Sequence, residues 1–434
     1  MENNYITRDT KSIFKLIIFC NILNFFISII IARCMEPSHK GLVNLFFESC
    51  LLIMTVSSLG LGTASIYFLG KSKHDLSLVH FNMLILSSSI GLILAIIIFY
   101  FKGTLNKFLL SNSGSKYLIL LAILGPFLIY AKCWQGIMFG ANRALTSYGL
   151  DTTFTALSFI SAFIVLVILK GKVNSIIYAW SGLTLISAVT MFFILWHYCP
   201  HLNTKGFSLR ALSETVGYGV KSHLGEVAHF LHLRLDLFML GYLVDLRNVG
   251  LYALSVNIAE KFWLLAFAIR AASIFKITST KKEDSVTLVS GLIKYVSLAY
   301  LCFGVLAFIL IDWFIKIIFG GLYREAALPF KFLLPGVLLM GISFLLSDFI
   351  SLQKAKPILS SAVAIAGLTV NLGLNLILIP RFKMIGAALS TTISYSLVFV
   401  ASLFIFIKDT GMSVKDLFLI KSKAWHLKHQ TNLK

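Results

Sequence analysis

The sequence predicts an all-α, polytopic membrane protein with about twelve transmembrane helices in two six-helix bundles. Three observations predict it. The 434 residues are 58% hydrophobic and only 13% charged, with a mean hydropathy of +0.88, whereas about a quarter of the residues in a soluble domain are charged. The apolar stretches run to about 20 residues, enough for a helix to cross some 30 Å of hydrocarbon; barrel strands would alternate over about ten. The linkers between the stretches are short and rich in turn residues. Inside hydrocarbon no water satisfies the backbone, so helices must satisfy it internally.

Span one, near 13–33, ends before Pro37 and has no small-residue cleavage site after it, so it reads as a retained span. Span two, 43–69, carries Asn44 and Glu48 near its outer end. Spans three (79–101) and four (117–139) are divided by Ser111-Asn112-Ser113-Gly114, and spans five (151–169) and six (173–196) by Gly171. Pro200 follows span six. Span seven, 215–243, is the most charged, and span eight, 248–275, carries Asn257, Glu260 and Lys261. Spans nine (290–315) and ten (328–350) flank Gly320-Gly321, and spans eleven (357–379) and twelve (384–407) flank Pro380. The expected organisation is an N-terminal bundle at 1–205, a C-terminal bundle at 206–410 and a basic tail at 411–434.

An even number of spans puts both termini on one side. Lys and Arg are more numerous there, among them Lys71, Lys73, Arg143, Lys205, Arg210, Lys281, Lys282, Lys354 and Lys356, so that side is expected to be cytoplasmic. The formal charge of +20 fits lipid headgroups as partners rather than nucleic acid, because the cations lie between apolar stretches. In the tail, Leu417, Phe418, Trp425 and Leu427 among lysines suit a helix lying on an anionic surface. Cys20, Cys34, Cys50, Cys133, Cys199 and Cys302 have no metal-ligand spacing and read as small apolar residues. Neither a metal nor a cofactor is expected.

The halves echo each other at one offset. Gly41-Leu42 recurs as Gly250-Leu251, Ala64-Ser65-Ile66-Tyr67 as Ala272-Ser273-Ile274-Phe275, Pro126 as Pro335, and Ala179 and Ser181 as Ala388 and Ser390, about 209 positions on. The offset superposes span two on eight, four on ten and six on twelve. Six spans per half keep the repeats parallel, the plan of transporters whose substrate path lies between rocking halves.

A charge in the bilayer centre costs on the order of 3 kcal/mol or more and needs a partner or water. Ser222, Glu226, His229 and Asp236 fall on one stripe of span seven, with His232 at its border. Such a stripe faces either a water-filled cavity or another polar helix. Asn21 and Asn24 give span one, its repeat equivalent, a milder polar stripe. Arg234 lies on the opposite side of span seven, where it either snorkels or pairs with a distant carboxylate. Lys132 and Arg270 lie nearer the cytoplasmic ends and either snorkel or face the cavity, where they would attract an anion such as phosphate. Glu226, His229, His232 and Asp236 are candidates for a proton-linked step, the alternative being hydrogen bonding within a helix seam. The expected cavity set is thus Glu226, His229, His232, Asp236, Asn21, Asn24, Glu48, Asn257, Glu260, Lys261, Lys132 and Arg270.

Catalytic motifs are absent. Gly70-Lys71-Ser72 ends like a phosphate-binding loop, but Ser65 stands where its first glycine belongs, and neither His-Glu-x-x-His nor Gly-x-Ser-x-Gly occurs. The short outer loops disfavour a membrane glycosyl polymerase. An enzyme is not expected.

The scattered positions Arg33 to Pro37, Gly41, Gly60-Leu61-Gly62-Thr63-Ala64, Asp236, Gly241, Val249-Gly250-Leu251-Tyr252, Phe319 to Ala326, Asn371, Asn375, Ile379-Pro380 and Gly386-Ala387-Ala388 resemble Wzx-type polysaccharide flippases. These belong to the MOP superfamily, which also holds the MATE exporters. Lys383 departs from the pattern, which usually has glycine there. The resemblance spans nearly the whole chain and implies a MATE-like fold in a bacterial inner membrane. It further implies that the chain moves an undecaprenyl-pyrophosphate-linked oligosaccharide to the periplasmic face for O-antigen, lipopolysaccharide or capsule assembly. Its partners would be that lipid-linked substrate, membrane lipids and polysaccharide polymerase or assembly proteins. The alternative is a cation-coupled MATE-type exporter, which favours a cavity of net negative charge with aromatic walls.

Overall fold

A computed structural model describes the backbone of residues 2–71, 73, 75–198, 209–354 and 357–418, and their side chains except at 2–10, 209, 222, 274–276, 278, 279, 357 and 418. Expectations for Lys205, Lys356, Cys199, Pro200, Trp425, Leu427, the boundary at 205/206 and the side chain of Ser222 fall outside these residues.

The described residues form helices and no strand. They are α1 (Glu2–Cys34), α2 (Pro37–Ser57), α3 (Leu61–Gly70), α4 (Leu76–Tyr100), α5 (Lys102–Leu110), α6 (Ser115–Gly140), α7 (Ala144–Ala162) and α8 (Val173–Tyr198), then α9 (Leu209–Leu243), α10 (Leu246–Ala259), α11 (Trp263–Ser279), α12 (Lys282–Ile318), α13 (Ala327–Asp348), α14 (Pro357–Thr410) and the short α15 (Val414–Phe418). Ten helical stretches among these residues are long and apolar enough to cross a membrane. One of them, Ile358–Thr410, has 53 residues, about 80 Å at 1.5 Å per residue and too long for one crossing. It folds back at Lys383, whose φ of 52° and ψ of −129° are not helical, and so supplies spans eleven and twelve. α9 is long enough to cross but too charged to count as apolar; it is span seven. About twelve spans result, as the sequence predicts.

Local chemistry sets the breaks. Span two is α2 and α3, interrupted where Leu59 and Gly60 adopt φ of 48° and 69°. A side chain at Gly60 would overlap the Gly219 backbone of α9, and one at Gly219 would overlap Leu59 and Gly60, so the two backbones can approach this closely only because both positions are glycine. Span eight is α10 and α11, joined by a 3₁₀ turn at Glu260–Phe262. α5 lies between spans three and four, where the sequence reads only as a linker. Its Lys102 and Lys107 are polar, but Leu109 and Leu110 are buried.

Two compact units are distinguished by their packing. The first comprises Met1–Ala253 and Lys316–Tyr323. In it α6 packs on α2, α3, α4 and α8, α1 on α7, and α9 on α2, α3 and α5. The 316–323 segment is held by Arg33, which donates to the carbonyls of Ile317 and, at 2.9 Å, of Ile318. The Tyr323 hydroxyl also donates to the Met35 carbonyl at 3.0 Å. Carbonyls at a helix C-terminus lack intrahelical partners, and Arg33 supplies them at the end of α12. The second unit comprises Leu254–Ile315 and Arg324–Lys434, with α13 packed between α11 and α14.

Candidate functional site: paired charges in the spans

In the first unit, Glu226, Arg234 and Asp236 of span seven each have a partner on another helix. The Lys132 ammonium on α6 lies 2.6 Å from Glu226 Oε1 on α9, and both side chains are a quarter to a third exposed. Arg234 Nε lies 3.3 Å from Glu48 Oε1 on α2, which decides between its two readings: it pairs rather than snorkels. Asp236 is 2% exposed. Its Oδ2 accepts from the Tyr252 hydroxyl at 2.5 Å and its Oδ1 from the Leu237 N–H at 2.8 Å. An unpaired charge within a span is expensive, and these partners offset that cost for Glu226, Arg234 and Asp236.

The stripe is therefore heterogeneous. Glu226 is partly open, His229 is exposed, and His232 and Asp236 are buried. The neighbouring His223, which sequence reasoning did not single out, is also buried, its Nε2 2.9 Å from the Val56 carbonyl at the end of α2. Asn21 is half-buried and donates to the Ile17 carbonyl of its own helix at 3.0 Å.

Asn24 belongs to a different feature. A cavity of about 530 Å³ lies among α1, α2, α7 and α8, with Asn24, Asp151, Thr155, Ser158, Trp180 and Thr184 in its lining. The hydroxyls of Thr155 and Thr184 donate to carbonyls of their own helices at 2.8 and 3.0 Å, so they present lone pairs to the cavity. Asp151 stands at the expected start of span five. Its spacing of four to Thr155 and seven to Ser158 marks the same kind of polar stripe as on span seven.

In the second unit, Asn257 is exposed, and Glu260 and Lys261 are half-buried in the 3₁₀ turn of span eight. A broken helix at this depth is a feature of transporter binding sites. Arg270 on α11 makes a two-pronged pair with Asp348 at the end of α13. Nε donates to Oδ2 and Nη2 to Oδ1, both at 2.7 Å. The sequence gives Asp348 no local signal, because an acid at the end of a span reads as a headgroup-level charge.

The chain is similar to several solved structures, at identities where the likeness is one of fold. Against an inward-facing multidrug resistance MATE family transporter of the MOP superfamily, identity is 13%, with 91% of this chain and 96% of that chain covered and a TM-score of 0.70. Against lipid II flippase MurJ in an inward closed conformation, the values are 16%, 93%, 88% and 0.71. Against an outward-facing MATE family transporter they are 15%, 93%, 96% and 0.61. No curated protein matches. The polysaccharide biosynthesis protein family matches residues 6–276, well over half of the chain, and the chain belongs to that family, the family of the Wzx-type flippases, with a MOP-superfamily fold.

Proposed function

We propose that the protein flips undecaprenyl-pyrophosphate-linked oligosaccharide repeat units from the cytoplasmic to the periplasmic face of a bacterial inner membrane. The units would feed O-antigen or other surface polysaccharide, with polymerase and assembly proteins acting downstream. Two six-span halves, 1–205 and 206–410, would rock about a polar cavity while the isoprenoid tail stays in lipid. The observation that carries this reading is the Lys132–Glu226 pair. It is an ion pair in mid-chain helices whose side chains are 25% and 32% exposed, and an exposed charge among spans needs water beside it. Such a wet, partly cationic surface lowers the cost of taking sugar hydroxyls and a pyrophosphate through hydrocarbon. Family membership and the MATE- and MurJ-like fold support the same reading. His229 and His232, with Glu226 and Asp236, are the candidates for a proton-linked step.

One observation favours the exporter reading as the second choice. The cavity at Asp151 has a carboxylate and the aromatic walls Phe47, Phe154 and Trp180, a combination suited to an organic cation. Deleting the gene separates the two. Undecaprenyl-linked units trapped on the cytoplasmic face, released by re-expression, support the flippase; unchanged surface glycan with heightened drug sensitivity refutes it in favour of the exporter.

A further inference from the structure

The guanidinium of Arg270 is fixed from two sides. Asp348, whose side chain is 8% exposed, takes its Nε and Nη2 edge at 2.7 Å each. Phe267 and Phe344 stack on each other at 5.3 Å and stand 5.9 and 5.4 Å from the cation. All four residues lie on α11 and α13 within the second unit. A guanidinium has five N–H donors in a planar fork. Two are used here, and among the described residues the Nη1 edge donates to nothing, while the side chain is 32% exposed.

We propose that Asp348 is a positioning residue: it holds Arg270 so that the free Nη1–Nη2 edge receives the phosphate oxygens of a lipid pyrophosphate. This rests on the flippase reading. An unrestrained arginine loses rotamer freedom when it binds an oxyanion, and one already clamped by a carboxylate and two rings has little left to lose. The free edge is itself a two-donor fork matched to two phosphate oxygens. The side-on carboxylate does not occupy it, so binding requires no exchange of partners. The pair's zero net charge means that geometry, rather than bulk attraction, gives the site its preference for a doubly liganding oxyanion. A sequence reading of Arg270 as a snorkelling cation misses this, because the orienting partner lies 78 positions away.

The test uses the full chain in lipid nanodiscs, with binding of undecaprenyl pyrophosphate and of undecaprenol measured by native mass spectrometry. Asp348→Asn is expected to weaken undecaprenyl pyrophosphate by about tenfold, the scale on which orienting partners act. Undecaprenol binding should stay at its wild-type value even though loss of a buried partner lowers the unfolding midpoint, and Asp348→Glu should restore most of the loss of undecaprenyl pyrophosphate binding. On an Arg270→Lys background, Asp348→Asn should add nothing further. Tighter binding by Asp348→Asn would mean that the carboxylate is a competitor for Arg270, and unchanged binding that it does not act; either overturns the inference. So does an equal loss for undecaprenol, which marks a purely structural role. If Asp348→Asn does not accumulate, Phe344→Leu loosens the same guanidinium from its other side, and a loss of roughly threefold is expected there; no loss overturns the inference. A wild-type protein that binds undecaprenyl pyrophosphate no better than undecaprenol removes the flippase reading and this inference with it. A wild-type preference that Asp348→Asn leaves intact removes this inference alone.

Discussion

Gly41 and Gly250, equivalent positions of the internal repeat, stand against each other where α2 crosses α10. A side chain on Gly41 would overlap the carbonyl oxygen of Leu246, and one on Gly250 the carbonyl oxygen of Pro37. Pro37 and Leu246 are themselves repeat equivalents, so the contact reads the same from either helix. The shared offset found in the sequence thus has a physical cause: each glycine serves as the hole for the other helix's first turn, and neither helix can change its residue alone. Gly41→Ala or Gly250→Ala is expected to destabilise the protein by about 1–3 kcal/mol, the usual cost of overpacking. Both changes disturb one crossing, so the double variant should cost clearly less than the sum of the two. Thermal unfolding of the purified variants measures this; strictly additive losses would mean the two glycines do not share a contact.

Exchange of charge between Lys132 and Glu226 tests whether the pair itself is what export requires. Glu226→Lys alone places two ammonium groups within a few ångströms and should abolish surface glycan, as should Lys132→Glu. The double swap should recover a substantial fraction, since the attraction is symmetric in sign. The stability part is expected to be modest, about 1 kcal/mol, because both side chains are partly exposed and solvent screens them. Surface glycan per unit of membrane-inserted protein is the readout. Full export by either single variant would remove the pair from the mechanism.

Lys383 occupies a backbone conformation that favours glycine, with φ 52° and ψ −129°, in the tight turn between spans eleven and twelve. The next glycine, Gly386, lies so near Leu378 that a side chain there would overlap the Leu378 carbonyl. A glycine at 383, the residue usual in the resembling flippases, should therefore relieve backbone strain. Lys383→Gly is expected to stabilise by about 1 kcal/mol, the lower end of what such conformations cost a residue with a Cβ, with export unchanged. A lower unfolding temperature for this variant would contradict the strain.

Much of the architecture was legible in the sequence because bilayer thickness fixes helix length: every expected span has its helix, and the turn at Ser111 to Gly114 is marked by left-handed residues as its composition implies. What a single helix carries could be read, including the stripe of span seven and the charges of span eight. What lies between helices could not. The partners of Arg234 and Arg270 are Glu48 and Asp348, and no local spacing announces a pair formed across so much chain. Asp151 had a local signal, its stripe with Thr155 and Ser158, but at the edge of an apolar stretch it reads as a boundary. α5 escaped notice for the opposite reason, since two buried leucines in nine residues give no stretch long enough to read.

Within the stripe, burial separates two kinds of acid, and their variants should fail differently. Asp236 is buried and bonded to the Tyr252 hydroxyl, a partner one helix further on. Asp236→Asn exchanges an acceptor for an amide whose N–H groups the site has not been built to receive, and Tyr252→Phe leaves the carboxylate short of a donor. Leaving a buried polar group unsatisfied costs about 1–3 kcal/mol, so both variants should lower membrane abundance, with export falling in proportion. Glu226 is open enough to be solvated, so Glu226→Gln should insert normally and lose export, because what it removes is a charge beside water rather than a seam between helices. Immunoblots of membrane fractions set against surface glycan give the ratio for each. If Asp236→Asn accumulates normally yet exports nothing, Asp236 is in the transport path despite its burial; if Glu226→Gln fails to accumulate, its ion pair with Lys132 is structural.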